Sequence, residues 1–232
     1  MTYRTDSDIF MPYGQVGMKN TKTLNKPVQW KSKTRLAAWF VSHCVTLSKR
    51  EHLVRKLVEY LPPNTVDIYG YCGSKRCPRG NETKESCWKK VEKNYKFYLS
   101  LENSICKDYV TEKMFEALKH NVVPIVLGGA NYSSVFPEKS FINMQDFSSM
   151  KELASYLLML DGNRSEYMKY FKWKEEFEIL NSKHDFNQAH CRLCQFLHQN
   201  QGQSKIVDNL DRWWVQGSSC SSEGGTGIEN VL

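Results

Sequence analysis

The chain has 232 residues, 41% of them hydrophobic and 25% charged, which places it within the globular range and allows one large domain or two small ones. Its formal net charge of +7 favours an anionic partner, whether nucleic acid, acidic membrane or a phosphorylated small molecule, without choosing among them. No window approaches the roughly eighteen uninterrupted apolar residues that a membrane-spanning helix needs, so the sequence contains no such helix.

The first predicted elements are a strand and a helix. The run "LAAWFVS", Leu36–Ser42, predicts a buried strand, and Ser48–Leu61 predicts an amphipathic helix. Ser48 and Glu51 have the spacing of a capping box at the start of that helix. Its apolar stripe comprises Leu53, Val54, Leu57, Val58 and Leu61.

A second strand is predicted at Val66–Gly70, and residues 70–93 then show no apolar period, which indicates a surface insertion pinned by cysteines. A third strand is predicted at Lys96–Glu102. Thr111 can cap a helix that runs to His120. The buried side of this helix is predicted to be Met114, Ala117 and Leu118.

The remaining elements continue the alternation. A fourth strand is predicted at Val122–Gly129, and a second capping box, Ser149 with Glu152, opens a helix. Its apolar face comprises Leu153, Tyr156, Leu157 and Leu160. Residues 163–200 are predicted to be helical and highly charged, and Gly217–Leu232 is predicted to be a flexible tail.

The βαβαβ order predicts an α/β fold, a Rossmann-like parallel sheet with helices on both faces. In such sheets ligands bind beyond the carboxyl ends of the strands. The polar stretch "ENSICKDYVTEK", Glu102–Lys113, lies at the carboxyl end of one strand and the amino end of the next helix. It is therefore the candidate binding site.

The residue types in this stretch suit a nucleotide diphosphate. A helix amino terminus attracts phosphate, and Lys113 adds a full positive charge there. Glu112 can accept hydrogen bonds from a ribose diol, while Asn103 and Tyr109 can donate to phosphate or sugar oxygens. The alternative from local pattern alone is a solvated loop in which Thr111 and Glu112 merely cap the helix.

The cysteines and the glycosylation sequons indicate a cellular compartment. The chain has eight cysteines and three sequons, at Asn81, Asn131 and Asn163. Together they favour an oxidising, glycosylating compartment over the cytosol. The polar start "MTYRTDSD" has none of the layout of a signal peptide, so we expect that a beginning of the protein is missing from this chain.

At this point the sequence resembles a known family. Phe97–Tyr132 is similar to the signature of the α1,3-fucosyltransferases, glycosyltransferase family 10, in which F-x-x-x-x-E-N-x-x-x-x-x-Y-x-T-E-K precedes a V-P-V-V-L-G-like strand. Tyr3–Gly14 and Trp39–Arg50 resemble further blocks in the family's order. The resemblance runs from about Thr2 to Cys194.

The resemblance implies the carboxyl-terminal half of a GT-B glycosyltransferase. Residues 1–34 would be a linker and a remnant of the amino-terminal acceptor domain, 35–200 the GDP-fucose-binding Rossmann-like domain, and 201–232 a tail. Arg50 and Lys113 would contact the pyrophosphate, Glu112 the ribose, and Asn103 and Tyr109 the nucleotide sugar. Without the resemblance, Arg50 would be interpreted as an exposed helix residue that pairs with Glu51 or another neighbour.

The implied activity is transfer of fucose from GDP-fucose to N-acetylglucosamine of glycoprotein N-glycans, with inversion and without a metal or other cofactor. The carboxylate base would belong to the missing acceptor domain, so no catalytic residue is assigned, and this chain alone would bind GDP but show little transfer. The whole protein would be a type II membrane protein of the Golgi lumen whose anchor is absent here. The alternative is a non-catalytic GDP-sugar-binding or interaction protein derived from such an enzyme.

Three other motifs allow competing interpretations. Asp6 and Asp8 form an Asp-x-Asp triplet, which we assign to a linker block rather than to a metal. The run His190–His198 has a partial set of zinc ligands, but the resemblance implies that cysteines near this end form disulfides with the amino-terminal part. Because that part is expected to be missing, Cys191 and Cys194 would lack these partners. The lysines and aromatics of Trp88–Lys96 indicate a solvated basic face rather than nucleic-acid binding.

Overall fold

A computed structural model describes residues 1–19, 26–77, 81–180 and 182–221, with the backbone alone for 81–84 and 182–186. The side chain of the predicted sequon Asn81 and residues 222–232 of the predicted tail lie outside this description. None of the helices within the described ranges has the length and apolar composition that crossing a membrane requires.

The chain alternates short strands and helices. The strands are β1 (Val16–Met18), β2 (Arg35–Phe40), β3 (Val66–Tyr69), β4 (Tyr95–Leu101), β5 (Val123–Leu127), β6 (Ile142–Asn143) and β7 (Phe177–Ile179). The helices are α1 (Arg50–Glu59), α2 (Asn81–Asn94), α3 (Glu112–Lys119), α4 (Tyr132–Val135), α5 (Met150–Gly162), α6 (Arg164–Met168), α7 (Ser182–Gln199) and α8 (Leu210–Trp214).

The main sheet has five parallel strands in the order β3-β2-β4-β5-β6, which confirms the predicted α/β fold. Every residue of β4 and β5 is buried, as expected for central strands that are covered on both faces. A small antiparallel pair of β1 and β7 lies outside this sheet and was not predicted.

Helices cover both faces of the sheet. Alternate residues of β2 belong to different sides, because Ala37 and Trp39 pack with α1 and α5 while Ala38 packs with α2 and α3. The buried residues of α1 and α5 include Leu53, Val54, Leu57, Leu153, Leu157 and Leu160. Those of α2 and α3 include Trp88, Val91, Met114, Ala117 and Leu118.

The first predicted capping box is wrong, and the second forms in part. The Ser48 hydroxyl donates to the carbonyl of Glu102 at 2.7 Å, and the Glu51 carboxylate accepts from the backbone and hydroxyl of Thr46, so α1 begins only at Arg50. Of the predicted apolar stripe, Val58 is exposed. At α5, Ser149 caps the helix as predicted, because its Oγ accepts from the backbone N–H of Glu152 at 3.1 Å, but the Glu152 carboxylate accepts from the backbone N–H of Ser148 at 2.8 Å and not from that of Ser149.

The prediction for residues 70–93 was wrong about the absence of a helix. Cys87, Trp88 and Val91 are buried on one side of α2, while Lys89, Lys90 and Lys93 lie on its exposed side. The lysines therefore follow a helical period that the sequence interpretation missed. Disulfides Cys44–Cys72 and Cys77–Cys87 do pin this region, as predicted.

The end of the described chain is attached to the domain. Residues 163–200 were predicted to be helical, yet they include β7 and a 3-10 helix with buried Tyr170, Phe171 and Trp173. The first residues of the predicted flexible tail are not free. Cys220 forms a disulfide with Cys106, and Ser218 is buried and accepts from the backbone N–H of Lys107 at 2.8 Å.

Candidate functional site

The strand order fixes where a ligand can bind. In the sheet, β3 lies on one side of β2 and β4 lies on the other, so the direction in which strands are added reverses at β2. The carboxyl ends of β2 and β4 therefore form a topological switch point. The helix α1 follows β2 and begins at Arg50. The segment Glu102–Lys113 connects β4 to α3 and lies at the same edge.

Arg50 is buried at this edge, with 3% of its surface exposed. Its Nη1 donates to the carbonyl of Leu101 at 2.5 Å and its Nη2 to that of His43 at 3.3 Å, while the guanidinium lies over the ring of Trp39. The interpretation of Arg50 as an exposed residue is therefore wrong. Its Nε is buried without a hydrogen-bond partner. Burial lowers the pKa of Arg50 and the charge of Glu102 opposes that shift.

Glu102 lies at the centre of the edge, although the sequence interpretation gave it no role. Its side chain is completely buried, and its carboxylate accepts from the backbone N–H of Thr111 at 2.8 Å and from Lys113 Nζ at 2.9 Å. Burial raises the pKa of Glu102, and Lys113 and Thr111 oppose the shift. The available signal was an acidic residue directly after an uninterrupted apolar strand.

At the amino terminus of α3, the side chains of Thr111 and Lys113 already bond to Glu102, which the sequence did not indicate. Thr111 precedes the helix as predicted, but its side chain does not cap the helix; the hydroxyl bonds to the Glu102 carboxylate at 2.8 Å. Lys113 has 20% of its side chain exposed and Glu112 has 57%. The ammonium of Lys113 lies 3.8 Å from Glu112 Oε1, so both reach the surface at one place.

Asn103 and Tyr109 complete the predicted set. The carbonyl of Asn103 accepts from the backbone N–H of Ser48 at 3.1 Å, and its Oδ1 is buried without a hydrogen-bond partner. The ring of Tyr109 lies 5.1 Å from that of Tyr3. Burial raises the pKa of Tyr109 to about 12, with a further contribution from Glu102, so its hydroxyl remains protonated at neutral pH.

The structure thus brings together the five residues that the sequence suggested. Ser48, two residues before Arg50, bonds to both Glu102 and Asn103, and the other residues lie on the segment that ends at Lys113. The charge of Glu102 acts on Arg50 and Tyr109. Two cations and a buried carboxylate therefore surround the end of β4, where Arg50 Nε and Asn103 Oδ1 are buried without hydrogen-bond partners.

A cavity of about 420 Å³ adjoins this site on the side of Tyr3. Asp108 and Val110, the neighbours of Tyr109, line it together with Phe115 and the exposed sequon residue Asn131. The Asp108 carboxylate accepts from the hydroxyl of Thr5 at 2.7 Å. The cavity is formed by residues 3–16 together with residues between 108 and 135, which are far apart in sequence, so no local sequence pattern indicated it.

The other motifs have ordinary surroundings. Asp6 pairs with Arg4 at 2.5 Å, and Asp8 pairs with Lys205. Cys191 and Cys194 are free and exposed. Among the residues with described positions, no three His, Cys, Asp or Glu side chains lie close enough to hold a metal ion.

Comparison with known proteins places the chain among sugar transferases. Residues 30–213 match the profile of glycosyltransferase family 10 (fucosyltransferase), C-terminal part. The chain is 38% identical over 241 residues to α-(1,3)-fucosyltransferase C of Drosophila melanogaster, covering 95% of this chain and 54% of the relative. It is 39% identical over 232 residues to glycoprotein 3-α-L-fucosyltransferase A of the same organism, with coverage of 95% and 44%.

Solved structures share the fold. A crystal structure of an α1,3-fucosyltransferase with GDP-fucose superposes with a TM-score of 0.56 at 20% identity, over 76% of this chain and 50% of that chain. This chain spans about half the length of the curated relatives that it matches.

Proposed function

Because the chain belongs to glycosyltransferase family 10, the fucosyltransferases, we propose that it is the donor-binding part of an α1,3-fucosyltransferase. Its ligand would be GDP-fucose, bound where the strands β2 and β4 end. The observation that carries this proposal is the placement of two cations, Arg50 and Lys113, on either side of the end of β4.

In this proposal the two cations hold the pyrophosphate. Negative charge increases on the departing GDP during transfer, so Arg50 and Lys113 stabilise the transition state more than the bound donor. Two fixed cations can perform this role without a metal ion. Burial of Arg50 strengthens the effect, because its charge is screened little by water.

The remaining residues would orient the rest of the donor. The exposed carboxylate of Glu112 can accept hydrogen bonds from both ribose hydroxyls. The Tyr109 hydroxyl and the Asn103 amide can bind phosphate or sugar oxygens. In this proposal they hold the donor in one orientation for attack by an acceptor.

The proposed reaction inverts the anomeric carbon of fucose. An acceptor hydroxyl forms the new C–O bond while the bond from carbon to the phosphate oxygen breaks, GDP takes the bonding electrons, and a carboxylate base takes the hydroxyl proton. We assign that base to no residue of this chain.

For the acceptor we propose N-acetylglucosamine of glycoprotein N-glycans. We propose further that the chain acts in the Golgi lumen, as part of a membrane-anchored protein. The 39% identity to a relative named as a glycoprotein fucosyltransferase supports this choice of acceptor. Disulfides such as Cys106–Cys220 and the exposed sequon residues Asn131 and Asn163 support an oxidising, glycosylating compartment. The similarity to named fucosyltransferases favours the enzyme over a non-catalytic derivative.

Calorimetry with GDP and GDP-fucose tests the proposal. We expect binding by the wild-type chain, and a loss of roughly tenfold to hundredfold in Lys113→Ala, since a charge-assisted contact to phosphate is removed. Lys119→Ala is the control, because Lys119 lies in the last turn of α3 and pairs with Glu116. Absence of GDP binding by the wild type, or equal affinity in Lys113→Ala, would contradict the proposal.

A further inference from the structure

We propose that Glu102 is a positioning residue that holds the Lys113 ammonium, through a carboxylate fixed at the end of β4, in place for the donor phosphate. The inference rests on the proposed function and extends it to a residue that does not touch the donor. It concerns three side chains: Glu102, Thr111 and Lys113.

The burial of Glu102 requires an explanation. Its side chain has no exposed surface, and an ionised carboxylate in such a place is unfavourable unless several donors compensate for the lost water. Glu102 has three such donors: the backbone N–H of Thr111, the Thr111 hydroxyl and Lys113 Nζ, all within 2.9 Å. All three belong to the start of α3, so the carboxylate is directed at the proposed phosphate site.

The backbone of Glu102 is fixed on two sides. Its N–H donates to the carbonyl of Leu127 in β5 at 3.0 Å, and its carbonyl accepts from the Ser48 hydroxyl at 2.7 Å. The carboxylate therefore cannot move far. Lysine, by contrast, has a flexible four-carbon side chain, and a rigid counter-ion is an effective way to select one of its conformations.

The contacts of the ammonium leave room for a ligand. Lys113 Nζ donates to Glu102 Oε2 at 2.9 Å and to Thr111 Oγ1 at 2.6 Å. An ammonium has three N–H donors, so these two bonds leave one for a phosphate oxygen. The 20% exposure of the side chain is consistent with access from solvent.

The charges around Glu102 make the proposal falsifiable. The charge of Glu102 acts on two cations, Lys113 and Arg50. It also acts on four phenols, those of Tyr13, Tyr98, Tyr109 and Tyr132. A carboxylate repels phosphate, so its removal would tighten GDP binding if net charge were its only effect. If Glu102 positions Lys113, its removal should instead weaken GDP binding.

A double-mutant cycle on the full 232-residue chain measures whether removal of the Glu102 charge weakens or tightens GDP binding. Glu102→Gln should weaken GDP binding roughly tenfold, and Lys113→Met by tenfold or more. The double variant should bind GDP no more weakly than Lys113→Met alone, because Glu102 acts through Lys113. Asp67→Asn is the matched control. Asp67 is another buried carboxylate, lies on β3 and pairs with Arg35 and Lys75, and its loss should leave GDP affinity unchanged.

A second readout does not use GDP. Acetic anhydride labelling followed by peptide mass spectrometry should modify Lys113 several times faster in Glu102→Gln than in the wild type, with Lys119 as the unchanged internal reference. If Glu102→Gln does not fold, Thr111→Val replaces it in this experiment. This variant keeps the side-chain volume and should also accelerate the labelling of Lys113.

The outcomes separate the two ideas. Unchanged or tighter GDP binding by Glu102→Gln, full additivity with Lys113→Met, or unchanged labelling of Lys113 would overturn the positioning role. Failure of the wild type to bind GDP would instead overturn the proposed function, and the labelling rates would still decide whether Glu102 holds Lys113.

Discussion

The Nη1 of Arg50 donates to the carbonyl oxygen of Leu101 at 2.5 Å, which joins the first residue of α1 to the last residue of β4. One side chain therefore connects the two strand ends between which the ligand is proposed to bind. Its loss has both a structural and a binding consequence, since the carbonyls of Leu101 and His43 would lose a donor.

We expect Arg50→Ala to weaken GDP binding by about tenfold to hundredfold and to lower the free energy of unfolding by about 2 to 4 kcal/mol. Arg50→Lys should recover part of the binding, because it keeps the charge but not the planar fork that reaches two carbonyls. Calorimetry and chemical denaturation measure the two effects. Arg55→Ala, on the exposed side of α1, is the control, and equal behaviour of the two alanine variants would contradict the assignment.

Glu112→Gln tests the proposed ribose contact. The wild type should bind GDP more tightly than 2′-deoxy-GDP, and the variant should lose roughly three- to tenfold in GDP affinity together with most of that preference. Glu116→Gln, one turn further along α3, should retain the preference. A preference that survives in Glu112→Gln would assign the ribose to another residue.

Removal of the Cys106–Cys220 disulfide should be costly. The bond closes a loop with a sequence separation of 114 residues, and loss of such a constraint lowers the free energy of unfolding by about 3 to 5 kcal/mol. We expect that loss in Cys106→Ser/Cys220→Ser by denaturant titration, with weaker GDP binding because Tyr109 lies three residues after Cys106. Cys191→Ser/Cys194→Ser removes two free thiols, and a similar loss there would refute the explanation.

Lys33 should link stability to pH. Its ammonium is buried and donates to the carbonyls of Glu92, Tyr95 and Asn121 at 2.5 to 2.8 Å. Burial lowers the pKa of Lys33 to about 7, although Glu92 opposes the shift. Because the unfolded chain keeps its proton up to a pH of about 10, it binds more protons than the folded state between these values, and stability rises with pH there.

Lys33→Met should therefore lower the free energy of unfolding by about 2 to 4 kcal/mol near neutral pH, because three buried carbonyls lose their donor. The deficit relative to the wild type should increase between pH 7 and pH 10. Denaturant titrations at several pH values measure it. Lys93→Met on the exposed side of α2 is the control, and a deficit that is independent of pH would argue against the lowered pKa.

Glycosylation is predicted at all three sequons, and two of them, Asn131 and Asn163, have described side chains. Asn131 is exposed and makes no side-chain capping bond, and Asn163 is exposed and uses only its Oδ1, which accepts from the Glu166 N–H. Secretion of the chain from eukaryotic cells followed by peptide N-glycosidase treatment should reveal both glycans by mass. Asn131→Gln and Asn163→Gln should each remove one, and an unmodified wild type would contradict the prediction.

Sequence patterns predicted the main strands and three of the helices well because their apolar residues are close in sequence. The helix α2 was missed, although Cys87, Trp88 and Val91 have helical spacing, because lysines interrupt the apolar signal. The burial of Arg50 was not predictable, since Trp39 and Leu101, which surround it, come from two different strands.

The sequence by itself determined the alternation of strands and helices, the parallel sheet, and the polar stretch Glu102–Lys113 as the candidate site, because periodicity and spacing are local properties, whereas Arg50 was assigned only through the family resemblance. Only the tertiary structure decided the strand order, the attachment of Cys220 beside the site, and the enclosure of Glu102 with Lys113. The physical reason is that a buried charge is stable only with its partners in place, and those partners are brought together by folding.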